Sequence, residues 1–470
     1  HTNFVTHDIV NESGADMDYL IKSQSIGAFA TATLGYRNYA YLVVGGRNSF
    51  TSTLEAENRS VFYTNISGSF IATEAFDFLR NKKNINYLKF RLGYSTAANF
   101  PSPYSTRSAL NISTRNFVTN AGTVINTNSI PNFLPNPNLK PELMAETETG
   151  IEGKFFQSRL SADITLYQRV SNDQILNRDL DPSTGYTSQQ INAGKVTNKG
   201  VEAQLAYKII RNKDWVWEVT GNWTINNSMV SDIPSDLKEI VYAGYTTLGN
   251  FAINGQPLGI MKGYYYQRHE NGQLLVGAGG DYIASTTIGI IGNPNPNYRL
   301  SGINSLTYKS FTFRFQVDYT DGGDMYSSTA RSLLARGVTK DTEFDRAAPY
   351  ILPGVTADGK PNNIQISATQ GYFNNVFGPD QGGIFDATVV RLRDMSLSYA
   401  LPEKLLNKTP FGSVSITANG SNLWYYAPNF PKYMHFDPET NGLGVGNGKG
   451  LEFITGPSAR RMGLSVRITF

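Results

Sequence analysis

The last ten positions of the chain alternate between apolar and polar side chains. One parity holds Met462, Leu464, Val466, Ile468 and Phe470, and the other holds polar residues that include Arg461 and Arg467. Because side chains alternate across a strand, the pattern predicts one apolar wall and one wet, cationic wall. Outer-membrane barrels end in this way, so we interpret these residues as a C-terminal barrel strand on which a barrel assembly machinery would act.

The same period-two pattern recurs along the whole chain. It is strongest at 160–167, 201–209, 215–225 and 311–320, and weaker at 26–36, 39–49, 61–71, 87–95, 146–155, 298–308, 387–399 and 413–424. With the terminal strand this gives about thirteen segments of roughly ten residues, the length that a tilted membrane strand needs. The apolar parity changes within 387–399, which predicts a bulge near Arg393 and Asp394.

The connections between these segments alternate between short and long. Tight turns at 156–158, 210–214 and 309–310 are each followed by a long connection, the longest spanning 230–297. Outer-membrane barrels have short periplasmic turns and long extracellular loops. The alternation therefore favours a transmembrane antiparallel β-barrel over a soluble all-β protein.

The parity of the connections predicts where the chain lies within such a barrel. The last strand descends to the periplasm, so the first of thirteen also descends and residues 1–20 belong to an extracellular loop. Single-chain bacterial barrels have an even number of strands. We therefore expect residues 1–470 to form the C-terminal part of one longer barrel domain, without its first strands.

Composition narrows the class of protein further. Aromatic residues make up 12% and charged residues 17% of the chain, below the roughly 25% of charged residues usual in soluble domains. The net charge of +3 gives no reason to expect nucleic acid. The chain has no cysteine, which excludes disulfides and thiolate metal sites. No apolar run is long enough for a helical span, and no signal peptide begins at His1.

Several ordered phrases resemble a known family. Asn136–Glu142, followed by Glu146 and Glu148, resembles a signature of TonB-dependent outer-membrane receptors. Six further segments resemble, more narrowly, the SusC/RagA branch of that family. They are 181–186, 192–194, 198–202, 392–402, 422–423 and 436–439. The resemblance implies an importer whose barrel of about 22 strands is filled by an N-terminal plug. It also implies a SusD-like surface lipoprotein as lid, energy from the TonB complex, and oligosaccharides or oligopeptides as substrates, in the outer membrane of a Bacteroidota-like bacterium.

Charged residues on the polar parity are the candidate lining of the barrel lumen. They are Lys89, Arg91, Glu202, Glu218, Arg314, Asp318, Arg461 and Arg467. We expect most of them to contact the plug or each other rather than substrate.

Two aromatic clusters are candidate substrate-binding sites. Tyr264, Tyr265 and Tyr266 lie within a long connection, and Tyr425 and Tyr426 follow Trp424 at the end of a strand. They could stack on sugar rings or peptide side chains, or belong to the aromatic girdle at the lipid interface. We favour the girdle for Trp424.

The sequence offers no site for enzyme, metal or cofactor chemistry. The histidines lack metal-ligand spacing, and Asp318, Asp321 and Asp324 lack the glycine and the closing glutamate of an EF-hand loop. No nucleophile elbow is present. Alternatives to an importer with a lid are a structural barrel that docks surface proteins, a lid-less receptor for metal chelates, and a soluble extracellular β-protein.

Overall fold

The fold is organised around one large antiparallel sheet. The computed structural model describes residues 21–79, 83–108, 111–118, 120–237, 239–444, 446 and 448–470. Within these ranges thirteen strands pair in chain order. They are β1 (Ser25–Tyr36), β2 (Ala40–Thr51), β3 (Ser60–Ile71), β4 (Ile85–Asn99), β5 (Glu142–Phe155), β6 (Leu160–Asn172), β7 (Lys195–Arg211), β8 (Trp215–Ser231), β9 (Tyr298–Tyr308), β10 (Phe311–Asp321), β11 (Val389–Ala400), β12 (Ser413–Tyr426) and β13 (Arg461–Thr469). The all-β prediction is confirmed, and every alternating segment is a strand of this sheet. The predicted position of residues 1–20 lies outside the described residues.

The pairing register places the apolar positions of neighbouring strands on one face of the sheet and the polar positions on the other. Val466 on β13 pairs with Ile416, which pairs with Tyr399 on β11. On the other parity, Arg467 pairs with Ser415. Directly paired residues share a face, so the sheet has one apolar face and one polar face.

Bulges shift the register at several points of the large sheet, and two of them bear on the sequence predictions. Gln316 pairs with Asp394 and Val317 with Leu392, which leaves Arg393 unpaired on β11 and confirms the predicted bulge. A second irregularity falls at Ile209, between Lys208 and Ile210. Ile209 therefore does not continue the apolar parity of β7 as the sequence pattern predicted, because the extra residue interrupts the pairing.

Apolar side chains are exposed on the sheet and buried in the connections. Leu166 and Leu205 are 50% exposed, and Met462 is 80% exposed. By contrast, Met261 and Leu451, both outside the large sheet, are fully buried. A sheet that exposes large aliphatic residues in this way needs an apolar surrounding such as lipid. Among the described residues, no helix is long and apolar enough to cross a membrane.

The long connections fold into a layer at one edge of the sheet. Antiparallel alternation places the described residues of 100–141, 173–194, 232–297, 322–388 and 427–460 at that edge and the short turns at the other. This layer contains smaller sheets. Their strands are Asn111–Val118 with Val124–Ser129; Phe133–Leu134 with Ile175–Asp179 and Ser188–Asn192; Glu239–Tyr245 with Leu248–Ile253, Ile260–Tyr266 and Ala284–Gly292; and Asp324–Ser327 with Ile384–Asp386 and Leu451–Glu452.

Short helices complete the connections. The layer holds α-helices α2 (Ser328–Ala335) and α3 (Gln370–Val376) and 3-10 turns at Pro182–Thr184, Lys340–Thr342 and Asp380–Gly383. On the opposite edge lie α1 (Ala72–Ala75), α4 (Glu403–Leu406) and a 3-10 turn at Asp77–Leu79. Ser327 caps α2 by accepting a hydrogen bond from the Ala330 amide at 3.0 Å. The layer therefore has its own secondary structure and its own apolar core.

Candidate functional site

The polar face of the sheet carries the charged residues that the sequence singled out. Lys89 pairs with Glu152, and Arg91 lies opposite Gly150 on the same face. Glu202 pairs with Thr224, and Glu218 pairs with Lys208. Arg314 and Asp318 lie opposite Ser305 and Ser301. Arg461 and Arg467 lie opposite Ser421 and Ser415 on the last strand. The structure thus brings the predicted residues onto one continuous wall, but distributes them over five strands (β4, β7, β8, β10 and β13) rather than into one pocket.

Several of these charges are neutralised within the wall. The Arg91 guanidinium donates to Asp163, with the nearer atoms 2.5 Å apart, and Lys89 lies 3.5 Å from Glu152. Lys208 and Glu218 approach to 3.8 Å across β7 and β8. Cross-strand ion pairs of this kind stabilise the strand pairing. Contact with a plug stays a prediction.

A cavity of about 600 Å³ opens where the polar face meets the loop layer. Its wall comes from β8, β9, β10 and β11, and its roof from the last long connection. Ser301, Gln316 and Asp318 lie on the wall, whereas Glu439 and Lys449 lie on the roof. The surface is mixed, with backbone of several glycines and prolines beside the charged groups. Such a concave site with a few fixed polar groups suits a polar oligomer.

A buried ion pair holds the roof against the wall. Arg391 on β11 is 1% exposed and donates both terminal nitrogens to Asp437, which is 4% exposed. The Tyr425 ring covers this pair, with the guanidinium carbon 5.3 Å from the ring centre. Burial raises the pKa of Asp437, but the hydrogen bonds, above all that from Arg391, outweigh burial and hold this pKa below its ordinary value. The pair fixes residues 427–460 to the sheet.

A second arginine extends this contact into the cavity. Arg393, the unpaired residue of the bulge, donates to Asp318 at 2.7 Å and to both carboxylate oxygens of Glu439 at 2.7 and 2.9 Å. Ser301 and Gln316 also donate to Asp318. The bulge therefore turns Arg393 toward the polar face, where it joins wall and roof.

Sequence reasoning missed these arginine contacts. The sequence pattern places Arg393 at a bulge and 436–439 in a family phrase, but it singles out neither Arg391 nor Asp437 as an ion-pair partner. The complementary charge of the arginines and the acidic residues, and their equal spacing of two residues, were a signal for pairing. Nothing in the local pattern could place a loop that follows β12 against β11.

A buried carboxylate anchors the end of the same connection. Glu452 is fully buried and accepts hydrogen bonds from Ser327 at 2.8 Å, from the Thr329 amide at 3.0 Å and from the Thr455 amide at 2.6 Å. Burial alone raises the pKa of a carboxyl group, but these hydrogen bonds outweigh it and hold the pKa of Glu452 below its ordinary value. The Glu452 carboxylate thereby ties the last connection to the start of α2.

The family phrases around Asn136 join two other connections. Asn192 accepts from the Lys140 amide at 2.8 Å and donates back to the Lys140 carbonyl at 2.8 Å. Glu142 accepts from the Ile175 amide at 2.7 Å. Leu139, which directly precedes Lys140, is fully buried. These residues position loops at the rim of the sheet, and none of them lines the 600 Å³ cavity.

The two aromatic clusters separate in the structure. Tyr264, Tyr265 and Tyr266 lie in a strand of the loop layer, and Tyr266 donates to the Val376 carbonyl at 2.6 Å. Burial raises the pKa of Tyr266 to about 12. Tyr425 pairs with Arg391 on the polar face, whereas Tyr426 pairs with Val390 on the apolar face. Tyr425 and Tyr426 therefore cannot form one stacking surface, because successive strand residues point to opposite sides.

A second concave region of about 430 Å³ lies elsewhere on the polar face, between β5 and β8. Glu146, Glu148, Glu202 and Arg169 line it. Arg169 donates to Glu146 at 2.5 Å. No group of histidine or carboxylate side chains among the described residues has the arrangement of a metal site. Asp318 and Asp321 are bound instead by protein donors, Asp321 by Tyr319 and Asn297.

An antiparallel sheet with an apolar outer face, a polar inner face and long loops at one edge defines the class of outer-membrane β-barrels. The chain belongs to the family described as TonB dependent receptor-like, beta-barrel, whose model matches residues 3–423. The recognition made from sequence phrases is thereby confirmed, and with it the outer-membrane location.

Curated relatives carry the same family name. TonB-dependent receptor P26 of Formosa agariphila is 25% identical over 98% of this chain and 48% of its own length. TonB-dependent receptor SusC of Bacteroides thetaiotaomicron is 25% identical over 39% of this chain and 20% of its own length. The chain spans about half the length of the first curated relatives that it matches, P26 and P3.

Solved structures show the same fold. The RagAB peptide transporter superposes with a TM-score of 0.72 over 98% of this chain and 49% of the matched chain, at 19% identity. The open-open state of the RagAB peptide importer gives a TM-score of 0.70. At this identity the likeness establishes the architecture alone.

Proposed function

We propose that the chain is the C-terminal barrel portion of a TonB-dependent outer-membrane importer. In this proposal the polar face lines the passage, and the loop layer forms the upper part of the binding cavity. The 600 Å³ cavity between wall and roof is the observation that carries the proposal, because a docking barrel has no need of a concave polar recess beside its inner face. Family membership supports energy coupling through the TonB complex.

The substrates we propose are oligosaccharides or oligopeptides. Fixed hydrogen-bonding groups such as Ser301, Gln316 and Asn222 line the cavity beside charged residues. These groups suit hydroxyl and amide groups alike, so the cavity chemistry leaves both substrate classes open. The named relatives include both SusC and, in fold, a peptide transporter.

A SusD-like surface lipoprotein is the partner we propose for the loop layer. The layer offers a surface fixed by the buried contacts of Arg391 and Glu452, as docking of a lid requires. The apolar face of the sheet would contact outer-membrane lipid. The proposal has two further parts. The charged residues of the polar face would contact a plug, and the barrel assembly machinery would recognise Met462–Phe470.

Uptake by cells that carry the full-length gene tests the proposal. Deletion of the gene should abolish the depletion of particular oligomers from a medium of mixed oligosaccharides and oligopeptides. An uncoupler of the proton gradient should have the same effect. Ser301→Trp, which fills the cavity, should reduce this uptake severalfold. Ser305→Trp, on the same face of β9 but outside the cavity lining, is the matched control.

Two results would contradict the importer. One is depletion that continues unchanged in the deletion strain. The other is oligomer capture that depends on the gene but not on the proton gradient, which favours a docking barrel instead.

A further inference from the structure

The main chain of Lys449 is clamped in the roof of the cavity. The side chain of Asn250, which is fully buried, accepts from the Lys449 amide at 3.0 Å and donates to the Lys449 carbonyl at 3.0 Å. Gly450 follows with a φ of +64°, and a Cβ there would lie 2.6 Å from the Asp324 carbonyl oxygen. The Gly450 carbonyl accepts from the Tyr326 amide at 2.7 Å. A rigid segment therefore presents Lys449 to the cavity.

Arg299 on β9 lines the same cavity from the wall. It pairs in register with Thr224 and Thr320 on the polar face. Within the part of the chain that the structure describes, neither Arg299 nor Lys449 makes a side-chain hydrogen bond or an ion pair. The third cation of the cavity, Arg393, is bound to Asp318 and Glu439. Among the described residues, these two cations of the cavity therefore have no ion-pair partner.

The carboxylates that line the cavity already accept hydrogen bonds from groups other than Arg299 and Lys449. Asp318 accepts from Ser301, Gln316 and Arg393, and Asp324 accepts from the Asn293 amide at 2.7 Å. Solvent in the cavity reaches Lys449, yet the surrounding walls displace bulk water. This desolvation, together with the charge of Arg299, lowers the pKa of Lys449. The two cations thus act on each other, and an anion between them relieves both their repulsion and their lost hydration.

We propose that Arg299 and Lys449 form a subsite for an oxyanion carried by the ligand of this cavity, either a carboxylate or a sulfate ester. A guanidinium binds such a group through paired hydrogen bonds, and an ammonium adds a point charge. That the ligand is an imported oligomer rests on the proposed function; the anion subsite itself does not.

Chemical reactivity of Lys449 tests the subsite. The purified full-length protein in detergent is treated with an uncharged acetylating ester, and acetylation of each lysine is followed by peptide mass spectrometry. Sodium acetate and sodium methyl sulfate are the probes, with sodium chloride at equal ionic strength as reference. Both probes should slow acetylation of Lys449 severalfold and saturably. The probe with the lower half-protection concentration distinguishes a carboxylate from a sulfate ester.

Matched controls locate the effect. Lys360, an exposed lysine paired with Asp358 on another loop, should show no protection. Arg299→Gln should abolish protection of Lys449, and Arg299→Lys should retain part of it. Because Arg299 is exposed and has no described partner, neither substitution should disturb folding, which heat-modifiable migration on a gel verifies.

Protection of Lys449 that is no greater than that of Lys360, or that survives Arg299→Gln unchanged, overturns the subsite. Protection with no gene-dependent uptake contradicts the proposed transport function alone. Energy-dependent uptake without protection contradicts the subsite alone.

Discussion

At the scale of single residues, the roof of the cavity depends on charges that have been removed from water. Arg391 and Asp437 are almost completely buried, and their attraction offsets a large desolvation cost only while both are present. Glu452 is buried without a cation and relies on hydrogen-bond donors instead. Loss of either arrangement leaves a buried polar group unsatisfied, which costs more than the arrangement contributes.

Asp437→Ala should destabilise the last long connection by about 3–5 kcal/mol, because it leaves Arg391 charged, buried and unpaired. Limited proteolysis of the folded barrel should then cleave within 427–460. Lys432→Gln, an exposed change in the same connection, is the matched control and should leave the loop resistant. The double variant Arg391→Met with Asp437→Leu should recover resistance. If the single and double variants are cleaved alike, the ion pair does not fix the loop.

Acid should release the contact between Glu452 and α2. Its folded-state pKa lies below the ordinary 4.5, so this stability is fully present above pH 4.5 and is lost as pH falls through the folded-state pKa. Hydrogen-exchange protection factors of Ser328–Ala335, corrected for the intrinsic rate, should decrease over that range. Glu452→Gln should remove the pH dependence and cost about 1–3 kcal/mol at neutral pH. Glu343→Gln, an exposed change in the same layer, should do neither.

At the scale of elements, each strand of the large sheet has one face toward lipid and one face toward water. On β10, Val317 pairs with Gly302 and Leu392 on the apolar face, whereas Gln316 pairs with Ile303 and Asp394 on the polar face. Neighbouring positions on one strand thus face opposite surroundings, and the cost of a charge differs accordingly.

Val317→Arg should destabilise the folded barrel by about 2–4 kcal/mol, because it places a charge near the middle of the lipid. Gln316→Arg should be tolerated on the polar face. Heat-modifiable migration on a gel measures the folded fraction of each variant. Equal loss in both variants would show that the assignment of faces on β10 is wrong.

The strands were predictable from the sequence because their pattern has period two and each face meets one solvent. Even the bulge at Arg393 left a visible change of parity between Leu392 and Met395. The loop layer was not predictable, because contacts such as Asn250 with Lys449 join residues about two hundred positions apart. In the sequence, Trp424–Tyr426 look like one aromatic cluster. On a strand, however, successive side chains point to opposite faces, so these three rings do not lie together.

At the scale of the whole molecule, the apolar surface is distributed unlike that of a soluble protein. The buried core lies in the loop layer around Met261, Tyr326 and Leu451, while the sheet exposes its apolar face. The structure therefore has a lipid-facing wall beneath a cap that has an apolar core of its own and packs on the ends of the strands. Transport requires that the opposite face of that wall line an aqueous passage.

Single-cysteine labelling of β10 in the full-length protein, in intact outer membranes, tests that requirement most directly. The 470 residues of this chain contribute no cysteine. A membrane-impermeant maleimide should label Arg314→Cys and Gln316→Cys, whereas Phe315→Cys and Val317→Cys should be protected by lipid. Equal labelling of both parities, or the reverse pattern, would contradict a water-filled passage along the polar face.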